Sequence, residues 1–542
     1  MKINGQIVDI IRREIFPGQI EIRDKRIYNI ETLAQASDIY IMPGFIDSHV
    51  HIESSMVLPS RFAEIAVSHG TVAVVSDPHE IANVLGKKGV YYMIKDGRKV
   101  PFYFYFGAPS CVPATPFDNA GAVLGPDEVN ELLSRDDIYF LSEMMNFPGV
   151  INGQEDVLKK LNFAKEKNKP IDGHAPGLSC QGLKKYLNAG ISTDHESFSL
   201  DEAREKIRCG MTIQIREGSA ALNFDALHPL IGEYPKKVMF CTDDCHPNDL
   251  LKGHINLIVK RALQKGYELF DVLRAASLNP RNHYQLDVGL LQAGDYADFI
   301  VINDLEKLEI RETWIQGNPV FVNNRFNWDR PVAHPINNFK YRTIKAKEIE
   351  VNHTNASKKM KVIQAVDNEI ITRSLTVSVL EKNDVVESNT LEDVLKIVVV
   401  NRYSDKNPSV GFVNGFGLKK GAIGGSIAHD SHNFIAVGTN DHDITTVLNV
   451  LMRTGGGIVA VKEGKIKSLP LPVAGLMSTE SVKTVAEEYE ALDQNAHQLG
   501  CRLRAPFMTL AFMSLLVIPE LKIGDEGLFD VNKFAYTSLF DD

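Results

Sequence analysis

The sequence lacks the features that mark several specialised classes of protein. Lysine and arginine number 59 against 69 acidic residues, a formal net charge of −10, which excludes the basic surface of a nucleic-acid-binding protein. No uncharged run approaches the ~20 residues that span a bilayer. Residues 1–30 have neither the basic start nor the apolar run of a secretory signal. We therefore expect a cytoplasmic protein with neither nucleic acid nor membrane as a partner.

Cysteine is also scarce. Six cysteines are scattered over 542 residues without a CxxC pair, which excludes a disulfide framework. Cys241 and Cys245 are close in sequence, and an incidental or structural role is favoured there over metal binding. The chain is too long for one hydrophobic core, so two or three domains are expected. A homodimer is the default expectation for its assembly.

Strand-rich segments flank a long middle segment. Short strands are predicted at residues 6–8, 16–22 and 26–29, and again at 299–303 and 313–322. This arrangement predicts a small β-sandwich domain built discontinuously from residues 1–42 and 286–340. The middle segment would then be inserted in it.

The middle segment, residues 43–285, alternates apolar strand runs with helical stretches such as 154–167, 200–209 and 249–265. Eight strands are predicted, at residues 40–46, 71–76, 102–107, 139–142, 170–173, 190–193, 211–215 and 238–242. Eight such units are typical of a TIM-like (β/α)8 barrel, whose functional residues lie at the carboxyl ends of the strands. An open doubly wound sheet would show the same alternation. Either way the fold class is α/β.

A separate C-terminal α/β domain is predicted over residues 341–542. Residues 349–364 are polar and linker-like, residues 370–380 and 395–400 favour strands, and residues 507–518 favour a buried helix or strand. Glycine clusters within 411–425 and 455–457 indicate turns or bulges. We therefore expect a barrel inserted in a small β domain and followed by one further domain.

Two histidines close the first predicted barrel strand. The two-residue period of a strand places His49 and His51 on one face and Val50 on the other. Two imidazoles with this spacing can bind one cation without distorting the backbone. The pair alone is a weak signal, because many exposed histidine pairs bind nothing in the cell.

Four further polar residues follow other predicted strands. Glu143, His174, His195 and Asp243 stand at the ends of strands four, five, six and eight, so all would meet at one mouth of the barrel. Buried charge there is unfavourable unless it is paired or metal-bound. Each residue taken singly could be a surface or capping residue, but their coincidence at five strand ends favours a metal centre.

Two ligand sets can be drawn, bridged by Glu143: His49, His51 and Asp243 for one divalent ion, and His174 with His195 for a second. Such a pair of ions lowers the pKa of a bridging water and supplies hydroxide near neutral pH. Asp243 can accept the proton of that water as general base. Asp244 is the alternative ligand, and Asp243 is favoured because it comes first after the strand. Ligands without cysteine suit manganese, iron, zinc or cobalt.

The stretch MPGFIDSHVH at residues 42–51 resembles the opening motif of the amidohydrolase superfamily. Five further stretches resemble the bacterial adenine deaminase family: IESSM at 52–56, SDPHEIAN at 76–83, DGHAPG at 172–177, TDHE at 193–196 and CTDD at 241–244. The likeness continues through AHDSHN at 428–433 and LPVAGLM at 471–477. It spans nearly the whole chain, and the last two stretches are the most specific to the family.

The resemblance implies conversion of adenine to hypoxanthine and ammonia, as in purine salvage, with manganese or iron as the metal. Hydroxide would attack C6 of the purine ring and Asp243 would take the proton. Many two-metal amidohydrolases use a carboxylated lysine on strand four, whereas this chain has Glu143 there, as adenine deaminases do. Either group presents two oxygens that can span ions ~3.5–4 Å apart.

The purine ring must be held by hydrogen bonds, because a polar site rejects analogues that lack the partner group. Asp77 and Glu80, just past strand two, are the candidates for ring binding and proton transfer, and Glu53 is a weaker third candidate. Residues 76–80 equally favour a helix N-cap with proline in the first turn.

The motif containing His429, Asp430 and His432 is open to two interpretations. Polar residues beside glycine turns often form no more than a hydrogen-bonded loop. Alternatively, the loop closes over the barrel mouth, excludes water and brings His429 and Asp430 to the substrate. Gly424 and Gly425 would permit such a close approach.

Two other functions remain open. A cyclic-amide hydrolase resembling dihydroorotases or hydantoinases would keep the metal centre, although Glu143 and the extra domain speak against it. A metal-free barrel relative would serve as an interaction scaffold. Such scaffolds usually lack several ligands, whereas all six candidate positions here carry competent side chains.

Overall fold

The fold is taken from a computed structural model that describes residues 1–219, 221–353, 358–367, 369–382 and 384–540. These residues form two compact units. The first comprises Met1–His79, Val90–Cys111 and Leu124–Ala333; the second comprises Glu80–Gly89, Val112–Val123 and His334–Asp542. Within the described residues, no helix is both long enough and apolar enough to cross a membrane.

The chain begins in a small sheet, with strands β1 (Lys2–Asp9), β2 (Glu14–Arg23), β3 (Arg26–Thr32) and β4 (Tyr40–Pro43). The first three strands are antiparallel neighbours, and β4 runs parallel to β1. The predicted strands at 6–8, 16–22 and 26–29 are confirmed. The single strand predicted at 40–46 is wrong, because the chain leaves this sheet at Gly44. A Cβ at Gly44 would lie 2.3 Å from Val72 Cγ1, so only glycine fits this crossing into the barrel.

The barrel strands are β5 (Phe45–His51), β6 (Thr71–Ser76), β7 (Tyr103–Ala108), β8 (Phe140–Met144), β9 (Ile171–Gly173), β10 (Thr193–Asp194), β11 (Thr212–Arg216), β12 (Val238–Cys241) and β13 (Asp243–Asp244). They are parallel, in the orders β13-β5-β6-β7-β8-β9 and β10-β11-β12. Thr242 links β12 to β13, which pairs with β5. The Ser192 N–H donates to Ile171 O at 3.0 Å and joins β9 to the start of β10. The ring is therefore closed, and the predicted barrel is confirmed.

The helices that accompany the barrel strands are α1 (Pro59–Ala66), α2 (His79–Leu85), α3 (Lys87–Gly97), α4 (Pro126–Leu133), α5 (Phe147–Ile151), α6 (Glu155–Glu166), α7 (Cys180–Asn188), α8 (Leu200–Arg208), α9 (Phe224–Leu227), α10 (Leu230–Glu233), α11 (Pro247–Lys252), α12 (Ile255–Gln264), α13 (Leu269–Leu273) and α14 (Asn279–His283). Ser199 caps α8 by accepting from the Glu202 N–H. The helices predicted at 154–167 and 200–209 are confirmed, whereas 249–265 forms two helices because α11 ends at Gly253.

The strands after the barrel return to the first sheet: β14 (Phe299–Ile302), β15 (Ile310–Ile315), β16 (Asn318–Val322) and β17 (Arg325–Phe326). β14 pairs antiparallel with β4, so the barrel is inserted in one eight-stranded sheet. The strand predicted at 313–322 is wrong as a single strand. Gln316 and Gly317 have φ of 49° and 72°, and two left-handed residues form the hairpin turn between β15 and β16. The domain boundaries at 42, 285 and 340 stay a prediction.

The second unit contains an eight-stranded sheet of β18 (Lys359–Ala365), β19 (Thr372–Ser378), β22 (Val394–Val400), β23 (Ser409–Asn414), β24 (Ala422–Gly425), β25 (Phe434–Gly438), β26 (Gly457–Lys462) and β27 (Lys465–Pro470). Short strands β20 (Glu381–Lys382), β21 (Val385–Val386), β28 (Leu521–Gly524), β29 (Gly527–Asp530) and β30 (Ala535–Thr537) and helices α15 (Asp441–Thr454), α16 (Val482–Gln498) and α17 (Pro506–Ala511) complete it. The predicted α/β class is confirmed, as are the strands predicted at 370–380 and 395–400.

Two other predictions for this unit need comment. The linker predicted at 349–364 is wrong at its end, because β18 begins at Lys359; residues 354–357 lie outside the described residues. Gly424 and Gly425, expected to permit a close approach of the His429 loop, belong to β24. A Cβ at Gly424 would lie 2.5 Å from Val447 Cγ1, so this glycine permits the close packing of α15 on the sheet.

A buried ion pair ties together the loops that follow β9 and β10. Lys206 is fully buried, and its Nζ donates to Asp194 Oδ2 at 2.9 Å and to Ala175 O at 2.7 Å. Asp194 Oδ1 accepts from the Ala175 N–H at 2.9 Å. The pair therefore holds the residue after His174 against the residue before His195.

Replacing Lys206 with methionine tests this tie. Lys206→Met is expected to lower the free energy of unfolding by about 3–5 kcal/mol, because the Asp194 carboxylate would remain buried without its partner. Urea titration followed by circular dichroism measures the loss. Lys159→Met is the matched control, since Lys159 forms an exposed pair with Glu155 at 2.7 Å and should change stability little. Equal losses in the two variants would contradict the assignment.

Candidate metal centre

The six side chains predicted as metal ligands converge in the first unit. β5 carries His49 and His51, β8 carries Glu143, and β13 carries Asp243. His174 and His195 follow β9 and β10 directly. Five of the six are buried and His174 is partly exposed. Glu143 was expected just past its strand but lies within it, and so does His49.

One group of donor atoms surrounds the first oxygen of Glu143. His51 Nε2 lies 3.2 Å from Glu143 Oε1 and 3.1 Å from Asp243 Oδ1. His49 Nε2 lies 3.5 Å from Asp243 Oδ1 and 4.0 Å from Glu143 Oε1. Asp244, the alternative ligand, instead accepts a hydrogen bond from Ser54 Oγ at 2.5 Å. The geometry thus favours Asp243 over Asp244 beside the histidine pair.

The second oxygen of Glu143 faces a different pair of histidines. Glu143 Oε2 lies 2.7 Å from His174 Nδ1 and 3.4 Å from His195 Nε2. Glu196 Oε1 is close by, 3.8 Å from the first of these nitrogens and 3.6 Å from the second. One carboxylate therefore separates two sets of nitrogen and oxygen donors.

Hydrogen bonds orient the histidine rings of the centre. The His51 Nδ1–H donates to Asp77 O at 3.0 Å, which directs Nε2 at the carboxylates. His49 is fully buried, and its Nδ1 has no hydrogen-bond partner among the described residues. Its ring stacks on that of His195 with centroids 4.2 Å apart. Burial lowers the pKa of His49, so its imidazole is suited to act as a metal ligand.

The donor set fits divalent metal ions. Atoms that share an ion at about 2.0–2.2 Å lie roughly 3–3.6 Å from one another, and most separations around each Glu143 oxygen fall near that range. Nitrogen and carboxylate oxygen without thiolate suit first-row metals such as manganese, iron, zinc or cobalt. The residues present therefore fit the metal centre that the sequence predicted.

Arg216 supplies a buried positive charge beside these acids. Its Nη1 donates to Asp243 Oδ2 at 2.6 Å and also contacts Glu196. Burial raises the pKa of Asp243, but Arg216 and the neighbouring histidines outweigh it and hold the pKa well below its usual range. Burial lowers the pKa of His174, yet the charges of Glu196 and Glu143 raise it to about 9.

Sequence reasoning missed three residues of the centre: His79, Glu196 and Arg216. His79 Nδ1 lies 3.7 Å from Glu143 Oε1 and 3.2 Å from Asp77 Oδ2. The signal for His79 and Glu196 was present, since both stand inside quoted motifs. Arg216 was missed because the seventh strand was ended one residue early, at 215 instead of 216.

A second layer of polar contacts holds β5 and β13 in register. Asp47 Oδ1 accepts from the Thr242 N–H at 3.1 Å, next to Asp243 in the chain. The other oxygen of Asp47 lies 3.0 Å from His254 Nε2, and His254 Nδ1 lies 2.7 Å from Thr71 Oγ1. Residues of two strands, of the link between β12 and β13 and of one helix start therefore fix the position of Asp243.

The candidate substrate-binding residues fall in both units. Asp77 is buried beside His79 in the first unit, and its Oδ1 has no hydrogen-bond partner among the described residues. Glu53 is buried in a short 3-10 helix, Ile52–Ser55. Glu80 is the next residue after His79 but belongs to the second unit.

Within the second unit, two histidines hold the Glu80 carboxylate. His429 Nδ1 lies 2.8 Å from Glu80 Oε1, and His432 Nε2 contacts the other oxygen. Asp430 Oδ1 lies 3.7 Å from His429 Nδ1. Burial raises the pKa of Glu80, but the two histidines outweigh it and hold the pKa well below its usual range. The motif thus holds the Glu80 carboxylate within the second unit, and its role at the substrate stays a prediction.

Known families match most of the chain. The amidohydrolase family matches residues 40–320, and the adenine deaminase C-terminal domain matches residues 369–535. An adenine deaminase of Methanosarcina barkeri is 50% identical over 99% of this chain and 98% of its own length. One from Salinibacter ruber is 50% identical over 100% of this chain and 99% of its own length.

Solved structures share less of the chain. A β-aspartyl dipeptidase of Fervidobacterium islandicum aligns with a TM-score of 0.47 and 14% identity, over 60% of this chain and 99% of that one. The full-length identity to the curated relatives and the two family matches agree with the resemblance carried by the motifs. The chain therefore belongs to the adenine deaminase family of amidohydrolases.

Proposed function

We propose that this chain hydrolyses adenine to hypoxanthine and ammonia at the barrel mouth, as a cytoplasmic homodimer. Membership of the adenine deaminase family supports the substrate. The observation that carries the chemistry is Glu143, whose two oxygens face two separate pairs of histidines. This is the arrangement expected of a carboxylate that bridges two cations.

We assign two divalent ions to the centre, manganese or iron. One would be held by His49, His51, Asp243 and Glu143, and the other by His174, His195 and Glu143. When bound, such a pair supplies Lewis-acid charge and lowers the pKa of water.

Charge balance supports two ions rather than three. Four carboxylates are buried at the centre, from Asp77, Glu143, Glu196 and Asp243, and Arg216 offsets one of them. The net charge of these groups is then −3. Two divalent ions would bring it to +1, and three would bring it to +3. Uncompensated buried charge is strongly unfavourable, so the acids present favour two ions over three.

The protein groups have distinct tasks in this proposal. Asp243 would accept the proton of the attacking water while Arg216 holds its second oxygen at 2.6 Å. Asp77, with an unpartnered buried oxygen, would accept a hydrogen bond from the purine ring. Glu80 would move a proton to a ring nitrogen, so that the amino group at C6 leaves as ammonia. Glu53, His429 and Asp430 are further candidates for binding the ring.

Ammonia release from adenine is the primary test. Protein stripped of metal by a chelator is expected to be inactive. Two equivalents of manganese or iron per chain should restore adenine turnover, because Glu143 belongs to both proposed ligand sets. Dihydroorotate and hydantoin are the comparison substrates under the same conditions. Hydrolysis of dihydroorotate or hydantoin without any deamination of adenine would favour a cyclic-amide hydrolase. Less than one bound metal per chain, without activity after reconstitution, would favour a scaffold.

Glu143→Gln tests the bridging role. The amide keeps the shape but loses the charge that two cations share, so metal content should fall from two ions per chain to one or none. Turnover should fall by more than about 100-fold, the upper range for losses around a metal ligand. Glu155→Gln, an exposed position on α6, is the matched control. Full metal content in Glu143→Gln would rule out the bridge.

Asp243→Asn tests the proton acceptor. An amide cannot accept the proton of the attacking water, so kcat is expected to drop by about 10²–10⁴-fold. Metal content is measured in parallel, because Asp243 is also a proposed ligand. A variant that holds two ions and turns over adenine at the wild-type rate would overturn the assignment. Asp244→Asn is the neighbouring control.

A further inference from the structure

Arg402 is a buried cation that has no acidic partner among the described residues. It lies at 0% exposure just after β22, and in that part of the chain its side chain donates to uncharged oxygens. Burial lowers the pKa of its guanidinium. A buried charge is unfavourable unless it is compensated. Apolar packing alone therefore does not account for an arginine at this position.

The guanidinium donates to oxygens instead. Its Nη2 lies 2.6 Å from Asn337 Oδ1 and 2.9 Å from Ala474 O. Its Nη1 lies 3.4 Å from His432 O. The Arg402 backbone N–H donates to Asn433 Oδ1 at 3.1 Å. All of these contacts lie within the second unit.

These contacts join the two motifs that are most specific to the family. Ala474 belongs to LPVAGLM, and His432 and Asn433 belong to AHDSHN. Gly475 leaves room for the guanidinium, because a Cβ there would lie 2.4 Å from Arg402 Nη1. Arg402 is thus the residue through which one motif holds the backbone of the other.

The backbone held in this way is that of His432. Its φ is 53°, a left-handed conformation that is uncommon for residues with a side chain. In this conformation the imidazole of His432 contacts one oxygen of Glu80, while His429 contacts the other. Stacking on Phe512, with centroids 4.7 Å apart, fixes the ring of His429 but not that of His432.

We propose that Arg402 is a positioning residue that holds the His432 carbonyl and thereby keeps the imidazole against Glu80. The effect on turnover rests on the proposed function, in which Glu80 moves a proton to the purine. A guanidinium suits the task because its planar fork reaches several carbonyl oxygens at once, whereas an ammonium is a compact point charge. Arginine at 402 is therefore a requirement of the Glu80 site rather than of the fold.

Arg402→Lys in the metal-loaded, full-length chain tests the proposal. Lysine keeps the positive charge but lacks the planar guanidinium that reaches several oxygens. The kcat for adenine should therefore fall by about 10–100-fold, the effect of misplacing a group that acts on the substrate. KM and metal content should change little, because the substitution leaves the metal ligands in place. Asn337 lies in a partly exposed loop, and its Oδ1 accepts a hydrogen bond from the guanidinium. Asn337→Ala removes this acceptor and should lower kcat by a smaller factor than Arg402→Lys.

Lys396→Met is the matched control for general destabilisation. Lys396 is a comparably buried cation of the same unit, bound to Asp441 Oδ1 at 2.6 Å and Ile349 O at 3.1 Å. It does not touch the His432 segment. Stability should fall in this variant while kcat per metal-loaded chain stays at the wild-type value.

Histidine-selective 15N spectra give a readout that does not depend on activity. The His432 ring signal is identified by its loss in His432→Gln, and it should shift in Arg402→Lys and in Asn337→Ala while the His497 signal stays in place. Wild-type kcat in Arg402→Lys, or an unshifted His432 signal in both variants, would overturn the proposal. If the wild-type chain released no ammonia from adenine, the proposed function would fail, and the His432 signal alone would decide the role of Arg402.

Discussion

The burial of four carboxylates and one guanidinium at the barrel mouth is the constraint on which the rest of the structure depends. Acids this close repel one another, and a protein interior screens them poorly. Arg216 offsets one charge by bonding both Glu196 and Asp243. In the proposed centre, bound cations would offset the remainder, and Glu143 offers an oxygen to each side. We therefore expect metal binding to stabilise the barrel mouth.

Such a centre needs a frame that does not relax, and the barrel provides it through buried polar pairs. Lys206 and Asp194 tie together the loops that carry two of the histidines. Asp47 joins β5 to the residue before Asp243, and His254 holds its other oxygen. Each pair would be costly alone, because a buried ion is stable only with its partner. Together they set the positions of the donor atoms more tightly than apolar packing would.

The second unit contributes a different kind of site. Glu80 follows His79 in the chain, yet its carboxylate is held by two histidines of that unit. Arg402 supports one of these histidines through its backbone carbonyl. Glu80 thus stands next in sequence to a histidine of the proposed metal centre, while side chains of the second unit hold its carboxylate.

The sequence by itself predicted eight strand–helix units, their insertion in a small β domain and six candidate ligands, because strand period and strand ends are local properties. It left a barrel and an open sheet as alternatives, and it did not reveal Arg216 or the contacts of Glu80 with histidines more than 300 positions away. It also placed Gly44 inside one strand, whereas β4 ends at Pro43 and β5 begins at Phe45. Only the tertiary structure decided these points, because charge pairing and steric contact depend on which distant residues become neighbours.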